Sequence, residues 1–356
     1  MTVDEVSTPA LALNVDALKR NIARMSKECA EGKIALRPHT KTHKSPWIAS
    51  LQMDAGAVGI CTAKLSEAEV MVQSGIRNIL ITTEVTPPKV DRLLSLATLA
   101  QLTAVVDDVD VLAELGRRAA ERGMVIPVLV DVNVGQERTG VDPGQPATSL
   151  AQLCSEIKGV QFAGLQGYEG HLQHVYEAPK RQRLACEAFD KLLATKKAVE
   201  SSGLRVNWVT TAGTGTYRYA IEHGGTTEVQ PGSYVVMDSN YAQVNGLPFE
   251  NALFVISGVV SVNRPNQFII DAGWKSLSTE DGMPIVHESP EATYEPAGDE
   301  HGRVKGLDKR LRPGDHIWII PSHCDTTINL HDRYILFQDD GRVEGDLPVA
   351  SRGRLA

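Results

Sequence analysis

The chain has 356 residues, which is enough for one large domain and a second, smaller one. Its composition, 42% hydrophobic and 22% charged, is that of an ordinary soluble protein, and a net charge of -8 disfavours nucleic acid or an anionic membrane as a partner. The five scattered cysteines form no CxxC pair, the N-terminus has no apolar signal core, and no apolar run is long enough to span a membrane, so we expect a cytoplasmic protein.

In chain order, a brief apolar strand at residues 11–13 is followed by a helix at 15–31, for which Asn14 is the predicted N-cap. Eight further apolar segments have the length of strands: 33–36, 57–61, 78–82, 102–106, 125–132, 161–165, 205–209 and 226–229. A helix or a helix-sized gap follows each of them. Eight such units predict a TIM (β/α)8 barrel, with a doubly wound open sheet as the structural alternative.

The pattern changes from about residue 253. Short strands at 253–262, 267–271 and 316–321 are separated by turns rich in Pro, Gly, Asn and Asp, and helical periodicity is absent. Residues 280–306 have the composition of a loop. We therefore predict a barrel domain at 14–245 and an all-β domain formed by 1–13 and 246–356.

Lys41 follows the first barrel strand, and four cationic or cationisable residues lie close to it in sequence: Arg37, His39, His43 and Lys44. Repulsion between like charges would lower the pKa of Lys41 and free its amine to attack carbonyl groups. The alternatives are a basic loop that grips an anionic ligand and a simple solvated turn.

Two loops rich in Gly, Thr and Ser, at 210–217 and 230–234, follow the seventh and eighth predicted strands. In a TIM barrel these loops commonly hold a phosphate, although Gly and Thr also make ordinary tight turns. A dinucleotide fingerprint is not met, because Arg218 stands where its third glycine would be. A nucleophilic lysine opposite a phosphate cradle predicts pyridoxal 5'-phosphate (PLP) as cofactor, with Arg138 beside the pyridine nitrogen unless it is a surface arginine.

A second candidate site lies in the all-β domain, where His323 and Asp325 follow a predicted strand. Residues at i and i+2 of an extended chain point to the same side, so this pair could form half of a divalent-metal site, with Cys324 facing away. The alternative is a capped turn with a buried cysteine. Of two nearby barrel histidines, we expect His171 near the cofactor and His174 at the surface.

These motifs resemble the D-threonine aldolase and D-serine dehydratase family of fold-type III PLP enzymes, relatives of the alanine racemases. The resemblance covers nearly the whole chain and implies an alanine racemase-like barrel followed by a β domain. It makes Lys41 the cofactor lysine, places Arg138 beside the pyridine ring and Tyr168 against the cofactor. The cofactor-binding residues that it implies are Lys41, His39, Arg138, Tyr168, Thr214, Gly232, Ser233 and Tyr241.

In that family the dehydratases carry His-x-Cys with zinc, and the aldolases carry His-x-Asp with manganese or a similar ion. Here His323-Cys324-Asp325 is similar to the aldolase type. The resemblance thus implies a lyase that cleaves D-β-hydroxy-α-amino acids, such as D-threonine or D-3-hydroxyaspartate, to glycine plus an aldehyde or glyoxylate. It also implies Mn²⁺, with Mg²⁺ open, and a homodimer.

Two alternatives remain from the sequence. One is a dehydratase that acts on D-serine or D-threo-3-hydroxyaspartate and releases ammonia. The other is a non-catalytic PLP carrier, which the second domain with its metal-like motif disfavours.

Overall fold

The computed structural model describes residues 2–287, 289 and 291–356; Glu288 and Pro290, within the predicted loop at 280–306, and Met1 lie outside the described residues. The chain divides into two compact units. The barrel unit comprises Met25–Lys41, Pro46–Gly232 and Arg354–Ala356. The β unit comprises the residues up to Arg24, Thr42–Ser45 and Ser233–Gly353. Among the described residues, no helix combines the length and apolar character needed to cross a membrane.

Up to residue 232 strands and helices alternate, in the order β1 (Ala10–Asn14), α1 (Val15–Glu31), β2 (Ala35–Leu36), α2 (Pro46–Asp54), β3 (Ile60–Thr62), α3 (Leu65–Gln73), β4 (Asn78–Ile81), α4 (Val90–Ala97), β5 (Gln101–Val106), α5 (Val109–Glu121), β6 (Ile126–Asp131), α6 (Gln145–Glu156), β7 (Val160–Gln166), α7 (Ala178–Ser201), β8 (Trp208–Thr211), α8 (Tyr217–His223) and β9 (Glu228–Val229). The later part is mostly strand, in the order α9 (Ser239–Ala242), β10 (Leu253–Arg264), β11 (Gln267–Ile270), β12 (Ile285–Val286), β13 (Thr293–Pro296), β14 (Gly302–Lys305), β15 (His316–Ile320), α10 (Cys324–Ile328), β16 (Arg333–Phe337) and β17 (Val343–Pro348).

Strands β2–β9 form one eight-stranded parallel sheet, as the sequence predicts. Backbone hydrogen bonds also join β3 to the segment that follows β2, since Cys61 N–H donates to the Pro38 carbonyl (2.8 Å) and Thr40 N–H donates to the Cys61 carbonyl (2.9 Å). These bonds close the sheet into a barrel. Apolar side chains from four neighbouring strands pack together: Cys61, Leu80, Val105 and Leu129. The carboxyl ends of all eight strands therefore lie at one mouth, where barrel enzymes place their chemistry.

In the β unit, strands β10, β15, β12, β13, β14 and β11 pair in that order, and β11 pairs again with β10. All of these pairings are antiparallel, so the six strands form a closed antiparallel barrel. Strand β1 extends the sheet between β10 and β16. The core of the β unit includes edge-to-face contacts of Trp318 with Phe254 (5.2 Å between ring centres) and with Phe337 (5.3 Å).

Two local predictions have clear outcomes. The Asn14 cap is confirmed, because its Oδ1 accepts the backbone N–H groups of Asp16 and Ala17, both at 3.0 Å, at the start of α1. The loop predicted at 280–306 is wrong in part, because strands β12, β13 and β14 lie within it. These strands have only two to four residues each, and pairing with β15 and β11 rather than any internal apolar pattern makes them strands.

Candidate active site

Lys41 is half-buried at the end of the segment that follows β2, and His39 fixes its backbone. The His39 N–H donates to the Pro231 carbonyl (3.0 Å), one residue before Gly232, which is buried. The Lys41 N–H donates to His39 Nδ1 at 3.3 Å. Because Nδ1 accepts, the ring proton lies on Nε2, which donates to Thr82 Oγ1 at 3.0 Å. His39 thus holds together the Lys41 segment and the loop after β9.

Arg37 does not supply the unbalanced positive charge that the sequence argument gave it. Its Nε donates to Glu228 Oε2 (2.9 Å), and both side chains are buried. Its Nη1 donates to Asn78 Oδ1 (2.8 Å), and the guanidinium lies 5.0 Å from the centre of the Trp208 ring. These three partners are the first residues of β9, β4 and β8. The interpretation of Arg37 as a neighbour that lowers the pKa of Lys41 is therefore wrong.

His43 and Lys44 belong to the β unit, and both are buried. The Tyr334 hydroxyl donates to the His43 carbonyl (2.6 Å), and the Ser351 N–H donates to the Lys44 carbonyl (3.0 Å). The segment after Lys41 is thus held by structural contacts of its backbone. A lowered pKa for Lys41 stays a prediction.

The loop after β8 is organised by a fully buried carboxylate that the sequence argument did not use. Glu169 accepts hydrogen bonds from Thr211 Oγ1 (2.9 Å), the Ala212 N–H (3.3 Å) and Thr216 Oγ1 (2.5 Å). Gln173 Nε2 donates to the same carboxylate at 3.3 Å. A buried carboxylate is tolerated when several donors surround it, so Glu169 fixes the shape of the predicted phosphate loop. The signal in the sequence was the spacing of Glu169 and Gln173, four residues apart.

The two glycines of this loop are needed for packing against Gln173. A Cβ at Gly213 would lie 2.5 Å from Gln173 Oε1, and a Cβ at Gly215 would lie 2.4 Å from the Gln173 carbonyl oxygen. Arg181 Nε donates to the Gly215 carbonyl at 2.9 Å. Thr214 and Thr216, on either side of Gly215 in the chain, are both buried. Contacts with Gln173 and Arg181 therefore fix the conformation of this loop, whether or not a phosphate is bound.

Arg138 and Tyr168 lie next to each other at the ends of β6 and β7. The Arg138 guanidinium is 5.7 Å from the centre of the Tyr168 ring, and both residues line one small cavity. Asn133 shapes the loop that carries Arg138, since its Oδ1 accepts the N–H groups of Gly135 (3.0 Å) and Glu137 (3.2 Å). A cation and an aromatic ring are therefore neighbours at the barrel mouth, and their roles toward a cofactor stay predictions.

A pair of acidic residues at the same mouth escaped the sequence argument. Burial and the neighbouring Asp131 carboxylate raise the pKa of Glu84 to about 8, and burial also raises the pKa of Asp131. Asp131 accepts hydrogen bonds from Gln166 Nε2 (2.9 Å) and Thr139 Oγ1 (2.9 Å), and the same cavity is lined by Asp131, Gln166 and Thr139. Burial therefore favours the protonated, neutral form of these carboxyl groups. Position in the sequence alone could not reveal it.

In the β unit, Ser233 and Tyr241 are both buried, within a short helical turn and helix α9. Asp238 caps α9, because its Oδ1 accepts the Tyr241 N–H at 2.8 Å. Its Oδ2 accepts the Cys324 N–H at 2.9 Å, and burial raises the pKa of Asp238. Asp238 therefore ties α9, with Tyr241, to the turn that carries the candidate metal residues.

His323 and Asp325 are close together, although not for the reason that the sequence suggested. Asp325 lies in the first turn of α10 and not on a strand, so the argument from alternation along an extended chain is wrong. Burial opposes a charge on His323, but the carboxylates of Asp325, Glu280 and Asp238 outweigh it and raise the pKa of the imidazole. An imidazole and a carboxylate are thus neighbours at this turn.

Cys324 lies between these two residues and is fully buried. Burial raises the pKa of its thiol well above the usual range, which disfavours the thiolate in the absence of a metal. Among the described residues, no cluster of three or more His, Cys, Asp or Glu side chains is arranged to hold a metal ion. In the barrel unit His171 is exposed, and its place near the cofactor stays a prediction; His174, expected at the surface, is half-buried.

Comparison with known proteins agrees with this architecture. Residues 13–240 match the family described as alanine racemase, N-terminal domain, and residues 252–337 match the putative serine dehydratase domain. A D-threonine aldolase of an Arthrobacter species is 38% identical, over 98% of this chain and 93% of that protein. The chain belongs to the D-threonine aldolase and D-serine dehydratase family. A 3-hydroxy-D-aspartate aldolase of Paracoccus denitrificans (strain Pd 1222) is 35% identical, over 99% of this chain and 94% of its own length.

The fold of this family member is also that of a solved D-threonine aldolase. The crystal structure from Filomicrobium marinum has a TM-score of 0.96 at 40% identity and covers 99% of this chain and 98% of that one. Dehydratases are more distant: the D-threo-3-hydroxyaspartate dehydratase of Delftia sp. (strain HT23) is 27% identical, over 99% of this chain and 90% of that protein. The predicted family, the alanine racemase-like fold and the lyase of D-threonine aldolase type are confirmed, and the fold type supports PLP as cofactor.

Proposed function

We propose that the chain is a PLP- and divalent-metal-dependent aldolase that cleaves D-β-hydroxy-α-amino acids to glycine and an aldehyde or glyoxylate. The observation that carries this proposal is the pair of Asp325 carboxylate and His323 imidazole, with the buried Cys324 between them in the chain. A carboxylate with an imidazole suits Mn²⁺ or Mg²⁺, whereas a thiolate would favour zinc. The aldolases at 35% and 38% identity support an aldolase rather than a dehydratase.

The residues at the barrel mouth fit PLP. Lys41 offers an amine for its aldehyde, Arg138 and Tyr168 offer a cation and a ring beside a small cavity, and the loop carrying Thr214 has the Gly and Thr composition of a phosphate site. We assign the cofactor to Lys41, His39, Arg138, Tyr168, Thr214, Gly232, Ser233 and Tyr241. When bound, PLP supplies the electron sink that stabilises negative charge on the substrate's α carbon.

The chain's own residues prepare these groups for the reaction. His39 keeps the backbone of Lys41 in place and so fixes the point from which its side chain extends. Glu169 likewise holds the backbone of the loop that carries Thr214 in place. Lys41 Nζ gives up a proton when it acts as a nucleophile and takes one up when the substrate amine replaces it.

His323 and Asp325 would hold the metal, and we propose Mn²⁺ as the preferred ion and Mg²⁺ as the alternative. When bound, such an ion acts as a Lewis acid that lowers the pKa of the substrate's β-hydroxyl. Two protein ligands leave coordination positions open for substrate and water. Within this proposal, the choice of Asp325 and not Cys324 as the second metal ligand is what distinguishes an aldolase from a zinc dehydratase.

The second candidate function is a dehydratase of D-serine or D-threo-3-hydroxyaspartate, and the match of residues 252–337 to a serine dehydratase domain favours it. The two functions differ in their products. An aldolase releases glycine and leaves no ammonia, whereas a dehydratase releases ammonia and a keto acid.

We also propose that the protein is a cytoplasmic homodimer. All five cysteines, each within the described part of the chain, are free thiols, which suits a reducing compartment. The dimer follows from the resemblance to family members in which a partner subunit completes the barrel mouth. Light scattering after gel filtration should give twice the mass of the 38.6 kDa chain.

The test of function is product analysis with the purified PLP-loaded protein, Mn²⁺, and D-threonine or D-3-hydroxyaspartate. We expect glycine plus acetaldehyde or glyoxylate, lost with a chelator and restored with Mn²⁺. Asp325→Ala should reduce cleavage by at least about 100-fold while the cofactor absorbance is retained, because the metal loses a ligand but Lys41 is untouched.

Asp308→Ala, at an exposed loop residue of the β unit, is the matched control and should keep full activity. Full activity in Asp325→Ala would contradict the metal site. Ammonia in place of glycine would contradict the aldolase and establish the dehydratase.

A further inference from the structure

The side chain of Glu280 makes a close contact with the candidate metal ligand His323. Its Oε1 lies 2.5 Å from His323 Nδ1. The Thr326 hydroxyl donates to the same Oε1 at 3.0 Å. Glu280 lies in the segment between β11 and β12, 43 residues before His323, so the pairing is a product of the fold and not of local sequence. Two donors therefore converge on one carboxylate oxygen beside the imidazole.

This contact decides which nitrogen of His323 can bind a metal. An imidazole that donates Nδ1–H to a carboxylate keeps its lone pair on Nε2, and that is how proteins commonly orient metal-binding histidines. The carboxylate also prevents the other tautomer, which would place the proton on Nε2 and block it. Thr326 holds the Glu280 oxygen in position for this task.

We propose that Glu280 is a positioning residue for the metal, which orients His323 as an Nε2 ligand and does not itself bind the ion. This inference rests on the proposed metal-dependent function. The geometry favours positioning over direct ligation, because Glu280 occupies the Nδ1 edge of the ring and the two ring nitrogens point away from each other. A carboxylate at one edge does not reach an ion bound at the other.

The experiment measures Mn²⁺ affinity of the full-length, PLP-loaded protein after removal of metal, by the electron paramagnetic resonance signal of free Mn²⁺. The variants are Glu280→Ala, Glu280→Gln and Thr326→Val, with Glu300→Ala as the matched control at an exposed glutamate of the β unit. Thermal unfolding of the metal-free forms is recorded in parallel. His323→Ala and Asp325→Ala report on the metal site itself.

We expect Glu280→Ala to weaken Mn²⁺ binding by about 10- to 100-fold, the usual effect of removing the carboxylate behind a metal-bound histidine. Glu280→Gln should bind within a few-fold of the unaltered protein, because the amide oxygen still accepts the Nδ1–H. Thr326→Val should have an effect smaller than that of Glu280→Ala. The unfolding temperatures of the metal-free forms should change little, since the Glu280 side chain is half exposed.

Unchanged affinity in Glu280→Ala would overturn the inference and leave the metal site intact. Glu280→Gln as weak as Glu280→Ala would overturn it in favour of direct ligation by the carboxylate. Unchanged affinity in both His323→Ala and Asp325→Ala would overturn the inference together with the metal part of the proposed function. The two failures are therefore distinguishable.

Discussion

The interior of the barrel unit and the turn at His323 hold their polar groups in different ways. In the barrel, Glu228 is buried and is bound both by Arg37 and by the Thr210 hydroxyl, which donates at 3.0 Å. At the turn, Glu280 is half exposed and its contacts with His323 and Thr326 converge on one oxygen. A buried charge that loses its partner is costly, whereas an exposed one is rehydrated. The barrel's polar groups should therefore govern stability, and those of the turn should govern function.

The largest effect is expected from Glu228→Ala, which leaves the buried Arg37 guanidinium without its carboxylate. We expect a loss of about 3–5 kcal/mol in the free energy of unfolding, measured by urea denaturation. Glu200→Ala, at an exposed glutamate on α7, is the matched control and should stay within about 0.5 kcal/mol. A loss in Glu228→Ala no larger than that of the control would remove the distinction between the two regions.

A double variant sharpens the same point. Arg37→Met with Glu228→Leu replaces the buried pair by apolar groups of similar size, so it should be more stable than Glu228→Ala alone. If the double variant were as unstable as Glu228→Ala, the loss of stability would come from altered packing around Trp208 and not from the unpaired charge.

Glu169→Gln is expected to have the next largest effect. In the unaltered protein the Glu169 carboxylate accepts hydrogen bonds from Thr211, Ala212 and Thr216. The NH₂ group of the glutamine is itself a donor and must face one of these three donors. A loss of about 1–3 kcal/mol should follow, together with weaker PLP binding, measured by urea denaturation and by fluorescence titration with PLP. Glu200→Gln should alter neither quantity. Unchanged PLP affinity would mean that the Glu169 network is purely structural.

Glu84→Gln should change how stability depends on pH. Burial beside Asp131 raises the pKa of Glu84 from 4.5 to about 8, so the folded state binds this proton more tightly than the unfolded state. Its contribution to stability is fully present below pH 4.5 and is lost as the pH rises to about 8. The charged groups that face it, Asp131 and Asp107, act in the same direction.

In Glu84→Gln the side chain is neutral at every pH, so the loss of stability with rising pH that the Glu84 carboxyl causes does not occur. The free energy of unfolding of Glu84→Gln should therefore fall less between pH 5 and pH 8.5 than that of the unaltered protein, with Glu200→Gln as control. Parallel pH profiles for the two proteins would refute a raised pKa for Glu84.

Sequence reasoning succeeded where the signal was local or repeated. The Asn14 cap rests on one residue at a helix start, and the barrel rests on eight apolar segments in series. The rule that barrel chemistry follows the strand ends singled out Arg138 and Tyr168, whose side chains lie next to each other in the structure. These features depend on neighbours in the chain or on a pattern that recurs many times.

It failed where a residue's environment comes from distant parts of the chain. Arg37 and Glu228 are 191 positions apart, and nothing near Arg37 in sequence indicates its partner. The same holds for Glu84 with Asp131 and for Glu280 with His323. Asp325 was misread for a different reason: it follows a predicted strand and was taken as extended chain, but it lies in the first turn of the short helix α10, where a carboxylate is favourable.

The seam that closes the barrel runs through the residues that lead to Lys41. Pro38 and Thr40, in the segment between β2 and Lys41, bond to Cys61 of β3, so the position of the lysine and the closure of the sheet depend on one stretch of backbone. An insertion between Pro38 and Lys41 would break these bonds and open the barrel, so this short segment tolerates little change in length.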